Sequence, residues 1–295
     1  MPPENNQAPV VPIKIGRFKA SKIIVRESWN ILKQEREIMW FPVISSLTTT
    51  VALLIIGIIY YAVVLGGNLS GLNFENNAFS SNVLVYGGLL IYYIVIFFIA
   101  NFFQAGLFII VNGRFSGQNL SFSDGIRGAK AHIGKIFAWS VINATVGMIL
   151  RIISDKSKLI GKIVAAVLGG AWAILTYFSL PSLVIGNMSV KDSFKESAAI
   201  IRKTWGESLI INFGVGLFFM LITFFTTVIA IGICILVPTF YVLVLVTILF
   251  VVFIIVVSII STTLGSIFKL ALFTYARTGQ IPQGFSPDIV RAAVK

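Results

Sequence analysis

The sequence predicts an all-α membrane protein: a polytopic bundle of six transmembrane helices, arranged as three hairpin repeats with amphipathic surface helices. Three observations predict this fold. The chain is 57% hydrophobic and only 12% charged, whereas soluble domains are about 25% charged. Six apolar runs approach or exceed the roughly 20 residues needed to cross a hydrocarbon core. A short polar phrase also recurs after apolar runs, as GQNLSFSD at 117–124, GNMSVKD at 186–192 and GQIPQGFSPD at 279–288.

The six apolar runs define the predicted organisation of the chain. They lie at 43–65, 83–112, 136–153, 163–186, 208–235 and 240–275. Pro238 marks a tight turn between the last two. We therefore expect a flexible N-terminal tail at 1–20, a six-helix membrane domain at 21–278 and a cytoplasmic C-terminal tail at 279–295. Six crossings place both termini on one side of the membrane.

The segment before the first apolar run has a different pattern. Residues 1–13 are rich in Pro and Asn, which is typical of disorder. From Ser21 to Met39, apolar and charged residues fall on different faces, which predicts an amphipathic helix on the membrane surface. Trp40, Phe41 and Pro42 then place aromatic side chains at the headgroup level. We find no removable signal peptide and expect the first spanning helix to direct insertion.

The charge distribution predicts the orientation. Lys and Arg number 23 against 11 Asp and Glu, a net charge of +12. These cations concentrate at the N-terminal region, in the loops at 113–135 and 187–207, and after Lys269. Positively charged loops stay in the cytoplasm and meet anionic lipid, so we expect cytoplasmic termini in the cell membrane and anionic lipids as partners. A nucleic-acid partner is not expected.

One basic segment disagrees with this orientation. Arg151, Lys156, Lys158 and Lys162 lie between the third and fourth apolar runs, on the side that six crossings place outside. The 136–186 hairpin either crosses fully, with its cations reaching the outer headgroups, or forms a shallow pair that returns to the cytoplasm. Full crossing is the interpretation we favour, and the sequence alone does not decide between the two.

The polar phrase belongs to an internal repeat. Arg127, Lys135, Ser140 and Ile142 follow Asp124 at the same offsets at which Lys195, Lys203, Ser208 and Ile210 follow Asp192. We interpret each unit as a surface helix followed by a membrane hairpin. Gly117, Gly186 and Gly279 can end a helix in a left-handed conformation. The ends Ser123-Asp124, Lys191-Asp192 and Ser286-Pro287-Asp288 resemble helix starts.

Polar groups within the apolar runs are the candidates for a functional site. The candidate intramembrane polar site consists of Asn143, Asn212, Lys269 and Arg151. Such groups would have to converge to bind a solute, but side-chain amides also join neighbouring helices by hydrogen bonds. Packing is the interpretation we favour for the amides, and snorkelling toward the cytoplasm explains Lys269.

Several chemistries are disfavoured by residue counts. The only cysteine, Cys234, lies in an apolar run, and the only histidine, His132, lies in a basic loop. No intramolecular disulfide, thiol or histidine metal cluster or membrane Ser-His-Asp triad can therefore be built. The apolar cores contain no Asp or Glu, which disfavours a proton-coupled pump. We expect no cofactor, no metal and no enzymatic activity.

The chain resembles a family of prokaryotic six-helix membrane proteins catalogued as a domain of unknown function. The resemblance is carried by Ser28-Trp29 through Glu37, by Trp40-Phe41-Pro42 and by the segment from Arg202 to Gly216, and it runs from about Ser28 to Phe285. It is more distantly similar to the membrane domain attached to some glycerophosphodiester phosphodiesterases, without their catalytic domain. The resemblance implies the fold and the membrane and supplies no reaction.

Two functions fit these features. The first is a non-enzymatic membrane-organising or accessory protein, which acts through its basic amphipathic face on lipids or on a membrane-protein partner. The alternative is a transporter or permease component for a small or amphiphilic solute, suggested by the repeated hairpins and the amides. The sequence determines neither the oligomeric state, nor the partner, nor the solute.

Overall fold

The computed structural model of this chain describes residues 17–60, 62, 78–156, 159–203, 207–237 and 239–286. The described residues are helical apart from turns and short connections, so the predicted all-α class is confirmed. Residues 1–16 of the predicted tail at 1–20, residues 287–295 of the predicted tail at 279–295, the turn at Pro238 and the loop at 63–77 lie outside the described residues, whereas residues 17–20 belong to the first helix. The elements are α1 (Arg17–Gln34), a 3-10 turn (Arg36–Met39), α2 (Trp40–Tyr60), α3 (Ala78–Phe115), α4 (Phe122–Ala131), α5 (Ile133–Lys156), α6 (Ile160–Leu175), α7 (Ser179–Val184), α8 (Val190–Lys203), α9 (Glu207–Leu236) and α10 (Phe240–Thr278).

Six of these helical segments are long and apolar enough to span a membrane. They are Glu37–Ile59, Tyr86–Phe115, Ile133–Lys156, Ile160–Val184, Phe218–Leu236 and Phe240–Thr278. Each corresponds to one of the six apolar runs, so the prediction of six long apolar helices is confirmed. Backbone groups in hydrocarbon must be satisfied within the segment, which is why such runs fold as helices.

The long helices pack as antiparallel pairs. α2 packs against α3, α5 against α6 and α9 against α10, so the six helices form three hairpins. Contacts divide the chain into two compact units, between Ile31 and Leu32 and between Arg202 and Lys203. One unit contains α2 to α8 with the end of α1, and the other contains most of α1 with α9 and α10.

Phe41 is the central side chain at one end of the α2–α8 unit. It is 1% exposed and lies against Gly106 of α3 and Gly125 of α4. A Cβ on Gly125 would lie 2.6 Å from Cζ of Phe41, so only glycine lets the ring fit. The Phe41 ring also packs on Phe122 at 4.6 Å between centroids. The ring of Phe41 thus fills the space between α3 and α4, whereas Trp40 is 57% exposed, and the placement of these aromatic residues at the headgroup level stays a prediction.

The residues at which helices end and begin agree with the prediction, with two corrections. Gly117 (φ 75°) and Gly279 (φ 71°) are left-handed as predicted, but in the second phrase Asn187 (φ 51°) takes that conformation instead of Gly186. Asparagine is among the few non-glycine residues that adopt it readily. Helix α4 is capped by Ser121, and α8 begins after Ser189, two residues before the predicted starts.

The reason for the second correction is the geometry of the cap. The Oγ of Ser121 accepts from the backbone N–H of Asp124 at 3.3 Å, and the Oγ of Ser189 accepts from that of Asp192 at 3.1 Å. A capping oxygen reaches the amide three residues onward, so the aspartates occupy the third helical position and the serines the cap.

Burial divides α10 into two parts. Its first part, 240–262, exposes apolar side chains on most of its surface, whereas Thr263, Leu264, Ser266–Phe268 and Leu270–Phe273 are buried. Phe285 folds back onto Phe268 with ring centroids 6.5 Å apart. Lys269 lies half-buried within this second part. It follows a largely exposed apolar stretch of 23 residues, which at 1.5 Å per residue is about 34 Å, comparable to a full hydrocarbon thickness.

Candidate functional site

Asn143 lies half-buried on α5 and links that helix to α6. Its Oδ1 accepts a hydrogen bond of 3.1 Å from the indole N–H of Trp172. Its Nδ2 donates to the carbonyl of Trp139, one turn earlier on α5, at 3.0 Å. Both polar atoms of the amide are thus engaged inside the protein, and the side chain acts on helix packing.

The Asn143 bond is part of an aromatic stack that the sequence did not reveal. The rings of Trp139 and Trp172 stack at 6.2 Å with an interplanar angle of 18°, and Trp172 stacks on Phe194 at 5.8 Å and 25°. The stack joins α5, α6 and α8. The chain contains only five tryptophans. The presence of two of them in neighbouring apolar runs was the feature of the sequence that could have indicated the stack.

A second amide joins α3 to α5. Asn101 donates through Nδ2 to Oγ of Ser140 at 3.0 Å, and Ser140 in turn donates to the carbonyl of Ile136 at 2.8 Å. Ser140 is fully buried. Inter-helix hydrogen bonds of this kind are worth about 0.6 kcal/mol on average in membrane proteins. Asn101 therefore also contributes to the contact between helices.

The remaining members of the predicted polar site are distributed over both units. Arg151 is exposed, two turns beyond Asn143 on α5, and pairs with Asp155 at 2.9 Å. Eight residues of helix separate Arg151 from Asn143, about 12 Å along the axis. Lys269 and Asn212 belong to the other unit, and the side chain of Asn212 lies outside the described part of the chain. Their convergence on a solute stays a prediction.

Helix α8 carries an exposed basic stripe. Lys191, Lys195 and Arg202 are exposed at helical spacing, with exposed Ala199 in the gap. The opposite face is buried through Ser193, Ser197, Ile200 and Ile201. The Oγ of Ser197 accepts the backbone N–H of Phe178 at 2.9 Å, which fixes α8 against the start of α7. Protein thus covers the apolar face, and the cations point outward.

Helix α1 has the same pattern. Arg26, Asn30 and Lys33 are exposed at the spacing of Lys195, Ala199 and Arg202. On the other face Ser28, Ile31 and Leu32 are buried, at the positions of Ser197, Ile200 and Ile201. The sequences Glu27-Ser28 and Glu196-Ser197 coincide in this alignment. Aligning 27–32 with 196–201 was the sequence signal that would have found the stripe.

Helix α4 repeats part of this arrangement. Arg127 is exposed at the position of Lys195, and Lys130 is exposed on the next turn. Gly125 and Ala129 are buried at the positions of Ser193 and Ser197. Arg127 lies 3.3 Å from Oδ1 of Asp124, so its guanidinium is held beside the first turn of the helix.

The pKa values of two groups in and next to α4, Asp124 and His132, are shifted by their surroundings. Hydrogen bonds from the side chain and backbone of Ser121 lower the pKa of Asp124 below its ordinary value, and the charge of Arg127 contributes in the same direction. Burial lowers the pKa of His132, and the ammonium of Lys135 adds to the effect. Lys135 itself donates to Oδ1 of Asn187 at 2.7 Å and to its backbone carbonyl at 3.0 Å. Near neutral pH, Asp124 is therefore charged and His132 is mostly neutral.

Acidic groups from the 3-10 turn region contact α3 and α4. The buried carboxylate of Glu35 lies 3.4 Å from the guanidinium of Arg114, near the end of α3. An oxygen of Glu37 accepts the backbone N–H of Phe122 at 2.7 Å, which satisfies a free amide at the start of α4. These two contacts set the position of the 3-10 turn against both helices.

The described residues contain no group of three or more His, Cys, Asp or Glu side chains that could hold a metal ion. In a comparison with protein families, the model described as "Family of unknown function (DUF6159)" matches residues 81–284. Comparisons with curated proteins and with solved structures gave no match. The matched region includes five of the six apolar segments in whole or in large part and the surface helices α4 and α8. The chain therefore belongs to the DUF6159 family of unknown function.

Proposed function

We propose that this protein is a non-enzymatic organising or accessory protein of the cell membrane, which gathers anionic lipids along the basic faces of its surface helices. The observation that carries the proposal is the matched exposed stripe on α1 and α8, with Arg26 and Lys33 on one helix and Lys195 and Arg202 on the other. Six apolar helices hold these stripes at a membrane.

The attraction of α8 to lipid is electrostatic. Its apolar face is covered by protein, so this helix does not insert an apolar face into the bilayer as a free amphipathic helix would. Each Lys or Arg near an anionic surface contributes about 1 kcal/mol of attraction, which falls off within a Debye length. We therefore expect lipid recruitment by the stripe to weaken as salt rises.

The experiment neutralises the α8 stripe in the full chain by Lys191→Gln, Lys195→Gln and Arg202→Gln. The matched control neutralises Arg151, Lys156 and Lys162, which removes the same charge near the α5–α6 turn. That turn lies at the far end of α5, about 35 Å from Ile133. Each protein is reconstituted with equal phosphatidylglycerol and phosphatidylethanolamine, and retained lipids are counted by native mass spectrometry.

We expect the α8 variant to retain less phosphatidylglycerol, by up to about fivefold for each charge removed, and the control to resemble the wild type. Equal retention of phosphatidylglycerol by the α8 variant and the wild type would refute the proposal. A drop of the same size in the control would mean that net charge, and not the stripe, attracts the lipid.

The orientation of the chain is part of the proposal. With cytoplasmic termini, the basic face of α8 meets the anionic lipids of the inner leaflet. The 24 residues of α5 span about 36 Å, enough for the full crossing that we favour for this hairpin. Full crossing is tested by introducing Asp155→Cys into a Cys234→Ala background and applying an impermeant thiol reagent to intact cells. Protection of that cysteine would contradict full crossing.

The transporter or permease hypothesis has less support. Asn143, one of its predicted solute ligands, already bonds to Trp172 and to the Trp139 carbonyl. The similarity to the membrane domain of glycerophosphodiester phosphodiesterases stays a prediction, as do a membrane-protein partner and the oligomeric state. Co-purification of the tagged protein from native membranes in mild detergent would identify such a partner.

A further inference from the structure

Two adjoining cavities lie along α4, where it meets the start of α2. The first, of about 430 Å³, is lined by Glu37, Trp40, Ile44 and Ser121–Ser123. The second, of about 340 Å³, is lined by Phe122, Ser123, Ile126, Arg127 and Lys130. Both are lined by Phe122 and Ser123, so they adjoin at these residues, and we refer to the two together as the groove, with an acidic group at one end and basic groups at the other.

The groups at the α2 end of the groove suit a cation. The carboxylate of Glu37 is exposed and is held in place by its bond to the N–H of Phe122 at 2.7 Å. The indole of Trp40 is 57% exposed beside it. A carboxylate next to an exposed indole is the chemistry that recognises ammonium groups, because the face of the ring attracts positive charge.

The other end suits a phosphate. Arg127 and Lys130 are both exposed on the groove side of α4. The guanidinium of Arg127 lies 3.3 Å from Asp124, which places it beside the first helical turn. Arginine has five N–H donors, so it can contact both Asp124 and a phosphate. Glu37 gives the lining one negative charge and Arg127 and Lys130 give it two positive charges, so the groove is weakly basic, and Asp124 lies beside Arg127 outside the lining.

A stripe of apolar side chains leads away from the cation end. Ile44 lines the cavity, and Leu47, Val51, Leu54 and Ile58 follow it at helical spacing on the exposed surface of α2. Ile44 and Ile58 are 14 residues apart, about 21 Å along the helix, which exceeds the roughly 15 Å of one hydrocarbon leaflet. The groove is therefore continuous with a surface suited to an acyl chain.

We propose that this groove binds a zwitterionic phospholipid, with the ammonium of the headgroup between Glu37 and Trp40, the phosphate at Arg127 and Lys130, and an acyl chain along α2. Glu37 contacts the start of α4 at Phe122, and the guanidinium of Arg127 reaches back to Asp124 in the first turn, so an acidic and a basic group follow one another along α4 as ammonium and phosphate do in such a headgroup. This site is distinct from the basic stripe of α8, because it lies on α4 and the start of α2 and combines a carboxylate and an indole with its basic groups. The proposal thus goes beyond the attraction of anionic lipids.

The test uses the full chain in nanodiscs that contain equal phosphatidylethanolamine and phosphatidylglycerol with identical acyl chains, and a parallel set in which phosphatidylcholine replaces phosphatidylethanolamine. Native mass spectrometry counts the lipids retained by the wild type, Glu37→Gln, Trp40→Leu and Arg127→Gln. Glutamine at position 37 keeps an oxygen for the Phe122 N–H and removes only the charge. Trp40 is largely exposed, so its variant preserves the fold even if Glu37→Gln does not.

We expect Glu37→Gln to lower the retention of the zwitterionic lipid about tenfold and Trp40→Leu about threefold, with phosphatidylglycerol unchanged. The α8 triple variant should lose phosphatidylglycerol and keep the zwitterionic lipid. The proposed anionic-lipid stripe and the proposed zwitterionic-lipid site can therefore fail independently. Unchanged retention of zwitterionic lipid in folded Glu37→Gln and Trp40→Leu would overturn the site. Displacement of the lipid by an equal concentration of soluble phosphocholine or phosphoethanolamine would overturn the lipid as its ligand. If Arg127→Gln lost only phosphatidylglycerol and kept the zwitterionic lipid, the zwitterionic lipid would likewise be overturned as the ligand.

Discussion

The indole N–H of Trp172 donates a hydrogen bond of 3.1 Å to Oδ1 of Asn143, and this bond joins α6 to α5. The same indole stacks between Trp139 and Phe194. One polar contact thus fixes the rotation of Trp172 and, through the stack, the position of α8. A buried polar group with a partner specifies a single packing arrangement more strictly than apolar contacts do.

We predict that Asn143→Leu lowers the free energy of unfolding in detergent by about 1 kcal/mol. The substitution leaves the Trp172 N–H without its acceptor, which is the cause of the loss. Thr145→Val is the control, because the Thr145 hydroxyl is on the exposed side of α5 and bonds only to the Val141 carbonyl of its own helix. Equal unfolding temperatures for the two variants, measured by tryptophan fluorescence, would contradict the prediction.

The capping serines give a second prediction. Ser121→Ala and Ser189→Ala should each reduce the stability of the following helix by about 1 kcal/mol, since each removes the acceptor for a free amide. Hydrogen exchange at the amides of Asp124 and Asp192 measures the effect locally. Ser123→Ala, in the first turn of α4 but outside the cap, should change exchange little. A larger effect at Ser123 than at Ser121 would place the helix start where the sequence predicted it.

Phe41 and Trp40 are neighbours with opposite environments. Phe41→Ala should destabilise the protein by about 3–5 kcal/mol, because its ring fills the space between Gly106 and Gly125 and leaves a cavity. Trp40→Ala should cost much less, since most of the indole is exposed. Thermal unfolding of both variants in the same detergent distinguishes them. Similar losses would mean that Phe41 is not the central packing residue of this region.

His132 supplies a pH prediction. Its lowered pKa means that the unfolded chain binds more protons than the folded chain in the window below pH 6.5. The free energy of unfolding therefore rises with pH through that window and is independent of this group above it. His132 is the only histidine, so a single imidazole resonance reports its titration by NMR. Lys135→Gln removes a neighbouring positive charge and should raise the pKa, and a further fall would contradict the assigned cause.

The extent of prediction differs between the fold and the site. The six apolar segments could be located because each must cover the hydrocarbon core by itself, so the signal lies in consecutive residues. The stripe on α8 was partly visible, since Lys191 and Lys195 stand at helical spacing. The aromatic stack and the contacts of Phe41 could not be predicted from the sequence. The residues in contact lie up to 84 positions apart in the chain, and no local pattern pairs them.

The sequence by itself determined the all-α class, the number of candidate spanning segments and the short polar segments in which helices end, because length, hydrophobicity and turn residues act locally. Only the tertiary structure decided which face of each helix is covered. It buried Phe41 and exposed Trp40, engaged Asn143 in packing, and turned the apolar face of α8 toward protein. Amphipathicity gives a helix an apolar face but does not say whether lipid or another helix covers it, since both remove the same surface from water.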